Sequence, residues 1–85
     1  MKLILSSRFQ KDLSKLLNSN PQMKRKITKT FKLIQRDLNH PSLRLHKLSG
    51  TNNWSISVDI SIRTIFHKEK EKLFLLRIGS HNQVY

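Results

Sequence analysis

Two arginines, Arg63 and Arg77, stand in apolar runs on either side of the segment Lys68-Glu69-Lys70-Glu71-Lys72. If residues 68–72 form a five-residue hairpin loop, His67 pairs with Leu73 and Arg63 lies directly opposite Arg77. A register displaced by two residues leaves both on one sheet face, diagonally. A displacement by one sends them to opposite faces. Like charges facing each other across a sheet are destabilising, and an anion between them reverses that. A planar guanidinium suits phosphate because it donates two parallel hydrogen bonds. The competing reading is two solvated strand charges on a basic protein. Beyond the second arginine, Gly79-Ser80-His81-Asn82-Gln83-Val84-Tyr85 adds an imidazole and a phenol. Histidine is the side chain best matched to proton transfer near neutral pH. Tyr85 has a ring that can stack on a base, and the alternative for this segment is a polar tail with an aromatic plug. His46, next to Lys47, is a second acid–base candidate or a polar edge residue. His40 reads as a helix-end dipole partner and His67 as solvated. The four histidines show no i, i+4 pairing, so no metal site is expected.

The elements that position these groups follow from the apolar pattern. Lys2 to Leu5 reads as an opening strand. Ser7 and Gln10 have capping-box spacing, and Phe9, Leu13, Leu16 and Leu17 then mark one stripe of a helix. Asn20 is placed to cap a second helix, with Pro21 at its first position. Met23, Ile27, Phe31, Ile34 and Leu38 form its narrow apolar seam, with Lys24, Arg25, Lys26, Lys29 and Lys32 mainly off it. Asn39-His40-Pro41 ends it, because the residue before proline avoids the helical region. Leu43 to Leu48 alternates loosely, placing His46 on a face with Arg44 and Leu48, and runs into the turn cluster Ser49–Asn53. Trp54, Ile56 and Val58 alternate with Ser55, Ser57 and Asp59 as a half-buried strand. Ile62 to His67 and Leu73 to Ile78 complete the set. The order β, α, α, then four β segments predicts an α+β fold. The helical hairpin covers one face of an antiparallel meander and leaves the other for solvent or ligand.

Length and composition bound the function. With 85 residues and 36% hydrophobic content, residues 1–85 read as a single domain, one that buries roughly 60% of its unfolded surface. Seventeen Lys and Arg against five Asp and Glu give a net charge of +12. That balance points to a polyanion: nucleic acid, an anionic membrane surface or an acidic protein. The basic face of the second helix accordingly reads as a solvated surface, an RNA track or a docking surface. The absence of cysteine excludes a disulfide framework, a thiolate zinc site and a cysteine nucleophile. Apolar runs are too short for a membrane span. Met1 to Leu5 starts like a signal peptide, but Ser6-Ser7-Arg8 ends the run before an h-region forms, and a cytoplasmic location is expected. The carboxylates Asp12, Asp37, Asp59, Glu69 and Glu71 are scattered, whereas a two-metal nuclease needs them clustered. Any cleavage of nucleic acid is therefore expected to need neither metal nor other cofactor.

Taken in order, His46-Lys47-Leu48-Ser49-Gly50, Trp54-Ser55-Ile56-Ser57-Val58, Ile62-Arg63-Thr64-Ile65-Phe66, Leu76-Arg77-Ile78-Gly79-Ser80-His81 and Val84-Tyr85 resemble the RelE/ParE superfamily of bacterial toxin–antitoxin toxins. The likeness is greatest to the RelE and YafQ-like branch of mRNA interferases. It spans essentially the whole chain, including Phe9-Gln10-Lys11-Asp12-Leu13. It implies a toxin that enters the ribosomal A site and cleaves mRNA without metal, by attack of the ribose 2′-hydroxyl on the adjacent phosphate. The products are a 2′,3′-cyclic phosphate and a 5′-hydroxyl. By that resemblance Arg63 and Arg77 bind the phosphate, His81 or His46 does acid–base work and Tyr85 positions a base. Lys47, Arg44, Lys24 and Lys26 are the candidates for further RNA contact. The branch carries an additional histidine and an acidic residue around the third strand, where this chain has Val58, Asp59, Ile60, Ser61 and Ile62. The implied partners are a cognate antitoxin, mRNA and the ribosome, with operator DNA reached only through the antitoxin complex and no membrane. The alternatives are a ParE-like inhibitor of DNA gyrase and a plain nucleic-acid-binding module.

Overall fold

Residues Met1–Tyr85 are all described by a computed structural model. Strand β1 (Lys2–Leu5) leads into helices α1 (Ser7–Ser19) and α2 (Met23–Arg36). A single 3-10 turn, Pro41–Leu43, precedes β2 (His46–Lys47), β3 (Asn53–Ser57), β4 (Ile62–Glu69) and β5 (Lys72–Ser80), and a one-turn helix α3 (His81–Val84) follows. The sheet order is β1-β5-β4-β3-β2. The expected α+β plan holds, with one feature the pattern did not reveal: β1 pairs with β5 in parallel, so the first strand lies beside the last.

The core lies on one sheet face. Ile56, Ile62, Phe66, Leu73, Leu75 and Ile78 from the strands pack with Phe9, Met23, Ile27 and Ile34 from the helices. Leu43 of the 3-10 turn completes this cluster, only 2% exposed. The opposite face carries the row His46, Ser55, Ile65 and Arg77, paired across four strands, and Arg63 two residues from Ile65.

Several element ends differ from expectation, each through a tertiary contact or a competing local bond. The cap of α1 is Ser6, not Ser7. Pairing with β5 holds the Ser6 N–H on the Leu75 carbonyl at 3.0 Å, and its hydroxyl accepts from the Phe9 N–H at 3.0 Å. Asn20 ends α1 rather than capping α2 with its side chain; its carbonyl takes the Met23 N–H, and α2 starts two residues after Pro21. Asp37 stops α2 before Leu38, its carboxylate accepting from the Asn39 N–H at 3.1 Å, a local bond that competes with the helix. The strand expected over Leu43–Leu48 shrinks to His46–Lys47 because Arg44 turns left-handed, at φ 49°. Arg44 therefore shares no strand face with His46.

The β4–β5 tip is a two-residue turn at Lys70 and Glu71, flanked by the pair Glu69 and Lys72, not the five-residue loop. Lys70 takes the positive φ, 54°, that such a tight turn requires. A bulge then shifts the register between Ile65 and Phe66. Arg63 consequently faces Gly79, and Arg77 faces Ile65. The arginines are diagonal neighbours on one face, not directly opposed, with Cβ atoms on the order of 7–8 Å apart.

Candidate functional site

The site is built on β4 and β5 and flanked by α3. Arg63 bends back across the sheet toward β3. Its Nη2 donates to the Ser55 hydroxyl at 3.0 Å and to the Arg44 carbonyl at 3.5 Å, and its Nε donates to the Tyr85 hydroxyl at 3.2 Å. Ser55 is fully buried, so its hydroxyl is a fixed acceptor. The left-handed turn at Arg44 aims that residue's carbonyl, rather than its side chain, at Arg63. All three acceptors are neutral oxygens, and no carboxylate neutralises the Arg63 charge. A half-buried guanidinium without a counter-ion is electrostatically poised for an anion.

Arg77 is arranged differently. Its Nε donates to the Asp12 carboxylate at 2.7 Å and its Nη2 to the Gln83 carbonyl at 3.0 Å. The same Asp12 oxygen accepts from the Ile78 N–H at 3.2 Å, and Arg8 approaches the other at 3.4 Å. Asp12 reaches this point because β1 has ended at Leu5, leaving the edge of β5 open to α1. Partial burial works to raise the Asp12 carboxyl, but the Arg77 hydrogen bond, the Ile78 N–H and the Arg77 charge outweigh it and hold the group below its ordinary value. Neither arginine uses its Nη1 within the chain.

Helix α3 ties the two arginines together. Gln83 Oε1 accepts from the Ser80 N–H at 3.0 Å, and this bond holds the single turn together with the Tyr85 N–H, which donates to the His81 carbonyl at 3.1 Å. The turn delivers the Gln83 carbonyl to Arg77 and the Tyr85 hydroxyl to Arg63, so α3 contacts both arginines. The His81 ring lies on that of Tyr85, with centroids 4.4 Å apart. His81 is exposed and Tyr85 is 50% exposed. Gly79 sits beneath the turn with little space to spare: a Cβ there would stand 2.7 Å from Gln83 Oε1.

His46 is exposed and pairs with Ser55, so it flanks Arg63 on the side away from Tyr85. Arg63, Arg77, His46, His81 and Tyr85 thus share one face. Lys47 does not join them; it pairs with Trp54, and its Nζ lies 5.8 Å over that ring, on the core side. Lys24 and Lys26 lie on α2, which covers the core face. Lys24 lines a basic groove with Arg25, Lys29, Lys32 and Arg36, and Lys26 pairs with Asp59 at 3.4 Å. Asp59 chiefly caps the β3–β4 turn, accepting from the Ser61 and Ile62 N–H groups. Burial raises its carboxyl and these bonds, with Lys26, bring it below its ordinary value. No three His, Asp or Glu side chains converge anywhere. Asp12, Ser55 and Gln83 are site residues that sequence reasoning missed. Phe9-Gln10-Lys11-Asp12-Leu13 offered the one signal, a lone acid beside an apolar stripe.

No family model matches the chain, and no curated protein matches its sequence. Solved structures do. A copper-bound mutant toxin from Helicobacter pylori superimposes with a TM-score of 0.78 at 26% identity, covering 100% of this chain and 99% of that one. YafQ in the E. coli DinJ–YafQ complex gives 0.83 at 18% identity, covering 99% and 97%. A YoeB/ParE toxin from Agrobacterium tumefaciens gives 0.79 at 18%, covering 95% and 99%. The chain has the RelE/YafQ-like toxin fold.

Proposed function

From the fold it shares with these toxins, we propose that this chain is the toxin of a type II toxin–antitoxin pair, a ribosome-dependent endoribonuclease acting on mRNA without a metal. The observation that carries the reading is Arg63: a half-buried, uncompensated guanidinium bonded to Tyr85 and Ser55, with His81 against Tyr85 and His46 across Ser55. A scissile phosphate set against the free Nη1 groups of Arg63 and Arg77 has its non-bridging oxygens neutralised as negative charge accumulates there. Such stabilisation is commonly the largest catalytic contribution. The ribose 2′-hydroxyl attacks phosphorus, its proton passing to His81 or His46, while the P–O5′ bond breaks and the leaving oxygen takes a proton from solvent water. Tyr85 stacks a base beside the linkage. The product ends are a 2′,3′-cyclic phosphate and a 5′-hydroxyl.

The partner is an antitoxin with an acidic docking segment, matched to a chain of net charge +12. YafQ, whose fold this is, is found in complex with DinJ. Operator DNA is reached only through that complex.

The test is 5′-end mapping of mRNA in a translating extract, alongside a gyrase supercoiling assay. New 5′-hydroxyl ends produced by wild type and lost in Arg63→Ala and His81→Ala are the expected result. Intact mRNA with gyrase blocked overturns the reading in favour of the ParE-like alternative. Intact mRNA, active gyrase and salt-sensitive RNA binding leave only a binding module.

A further inference from the structure

Arg77 is not a free cation on the sheet; its guanidinium is steered by Asp12 and Gln83. A strand arginine has four side-chain torsions and in water samples many orientations. Here a single carboxylate on another element removes most of that freedom. Asp12 Oδ2 takes the Arg77 Nε–H at 2.7 Å, and the same atom takes the backbone N–H of Ile78 at 3.2 Å. The carboxylate is therefore referenced to the β5 backbone next to the arginine it holds, and it cannot drift without losing both bonds. With Nε engaged by Asp12 and one Nη2 hydrogen by Gln83, the outer Nη1 edge is left as the donor edge. Asp12 itself is only 14% exposed at its side chain, against 63% for Arg8. Arg8 is thus a loose outer neighbour and Arg77 the tight one.

We infer that Asp12 is the positioning residue of Arg77, an α1 carboxylate that orients the guanidinium so that Nη1 meets the scissile phosphate. This inference rests on the endoribonuclease reading. Asp12 touches no substrate; it acts through Arg77 alone. Its held-down carboxyl, described above, keeps the anchor charged throughout the neutral range.

The experiment measures cleavage of ribosome-bound mRNA by the full chain, with rate at saturation separated from half-saturating concentration. Four proteins are compared: wild type, Asp12→Asn, Arg77→Ala and the double variant. Asn keeps an oxygen for the Ile78 N–H, so the sheet edge stays capped while the charged hold on Nε is lost. The expected result for Asp12→Asn is a fall of about tenfold or more in the saturated rate with little change in half-saturation, the pattern of an interaction realised in the transition state. The double variant is expected to match Arg77→Ala, since a residue acting only through Arg77 has nothing left to position. The Arg77 Nε–H resonance is expected to exchange faster in Asp12→Asn than in wild type, which reports loss of the hold on Nε, while the fall in saturated rate at unchanged half-saturation is the change that a purely structural role would not produce. A wild-type rate in Asp12→Asn overturns the inference, as does a double variant slower than Arg77→Ala. Absence of cleavage by wild type, or full cleavage by Arg77→Ala, overturns the functional reading itself and this inference with it.

Discussion

Gly79→Ala is a small change with a sharply localised consequence. Gly79 is buried and its φ is unexceptional, so space rather than conformational freedom requires glycine here. An added Cβ would stand 2.7 Å from Gln83 Oε1 and 3.4 Å from both Gln83 Cβ and Val84 Cγ1. The nearest atom is the end of a flexible amide, so it yields, and in moving it abandons the 3.0 Å bond from the Ser80 N–H. Loss of such a capping interaction costs about 1 kcal/mol. A single helical turn has no length over which to recover it, so α3 unwinds and withdraws the Gln83 carbonyl from Arg77 and the Tyr85 hydroxyl from Arg63. For a domain of this size, about 1 kcal/mol corresponds to a Tm lower by roughly 4–8 °C. Calorimetry supplies the Tm, and the Arg63 and Arg77 Nε–H resonances report the released side chains. A wild-type Tm with unshifted arginine resonances would refute the claim that α3 is held by this contact and ties the arginines together.

Thr64→Val should stabilise the protein by about 1 kcal/mol, because the Thr64 hydroxyl is fully buried without a partner and valine keeps its shape; urea unfolding checks this, and a lower midpoint contradicts it. Ser55→Ala removes the buried acceptor of Arg63 and should cost about 1 kcal/mol or less in stability while lowering mRNA cleavage several-fold, read by paired unfolding and cleavage assays. Asp12 and Asp59 are both held below their ordinary values. Their ionised forms therefore stabilise the fold above the unfolded carboxylate pKa, and that contribution is lost as pH falls through the lower folded values. Stability should thus decline on acidification below about pH 4, and Asp59→Asn should flatten the decline in an acid titration followed by circular dichroism.

Much of the architecture was written in local pattern. The stripe through Phe9 and Leu13, the seam from Met23 to Ile34 and the alternation of Trp54, Ile56 and Val58 depend only on which residues are apolar and how often they recur, and burial enforces that period directly. The expectation that Arg63 and Arg77 share a face holds, but not through local pattern: the two-residue turn displaces the register by one, the bulge between Ile65 and Phe66 displaces it by one more, and a net shift of two preserves facing. What the sequence alone could not decide were the contacts made between distant segments. Ser6 caps α1 because β5 holds its backbone. Arg44 turns left-handed beside the buried Leu43 and presents a carbonyl. The bulge in β5 slides Arg77 opposite Ile65. Asp12 finds Arg77 across 65 residues because β1 stops short and leaves a strand edge open. Each of these is fixed by satisfying a backbone or charged group with whatever the fold brings near. No residue's own type or spacing records that proximity, so the two arginines looked alike in sequence and became, in the folded chain, one anchored by a carboxylate and one still awaiting its anion.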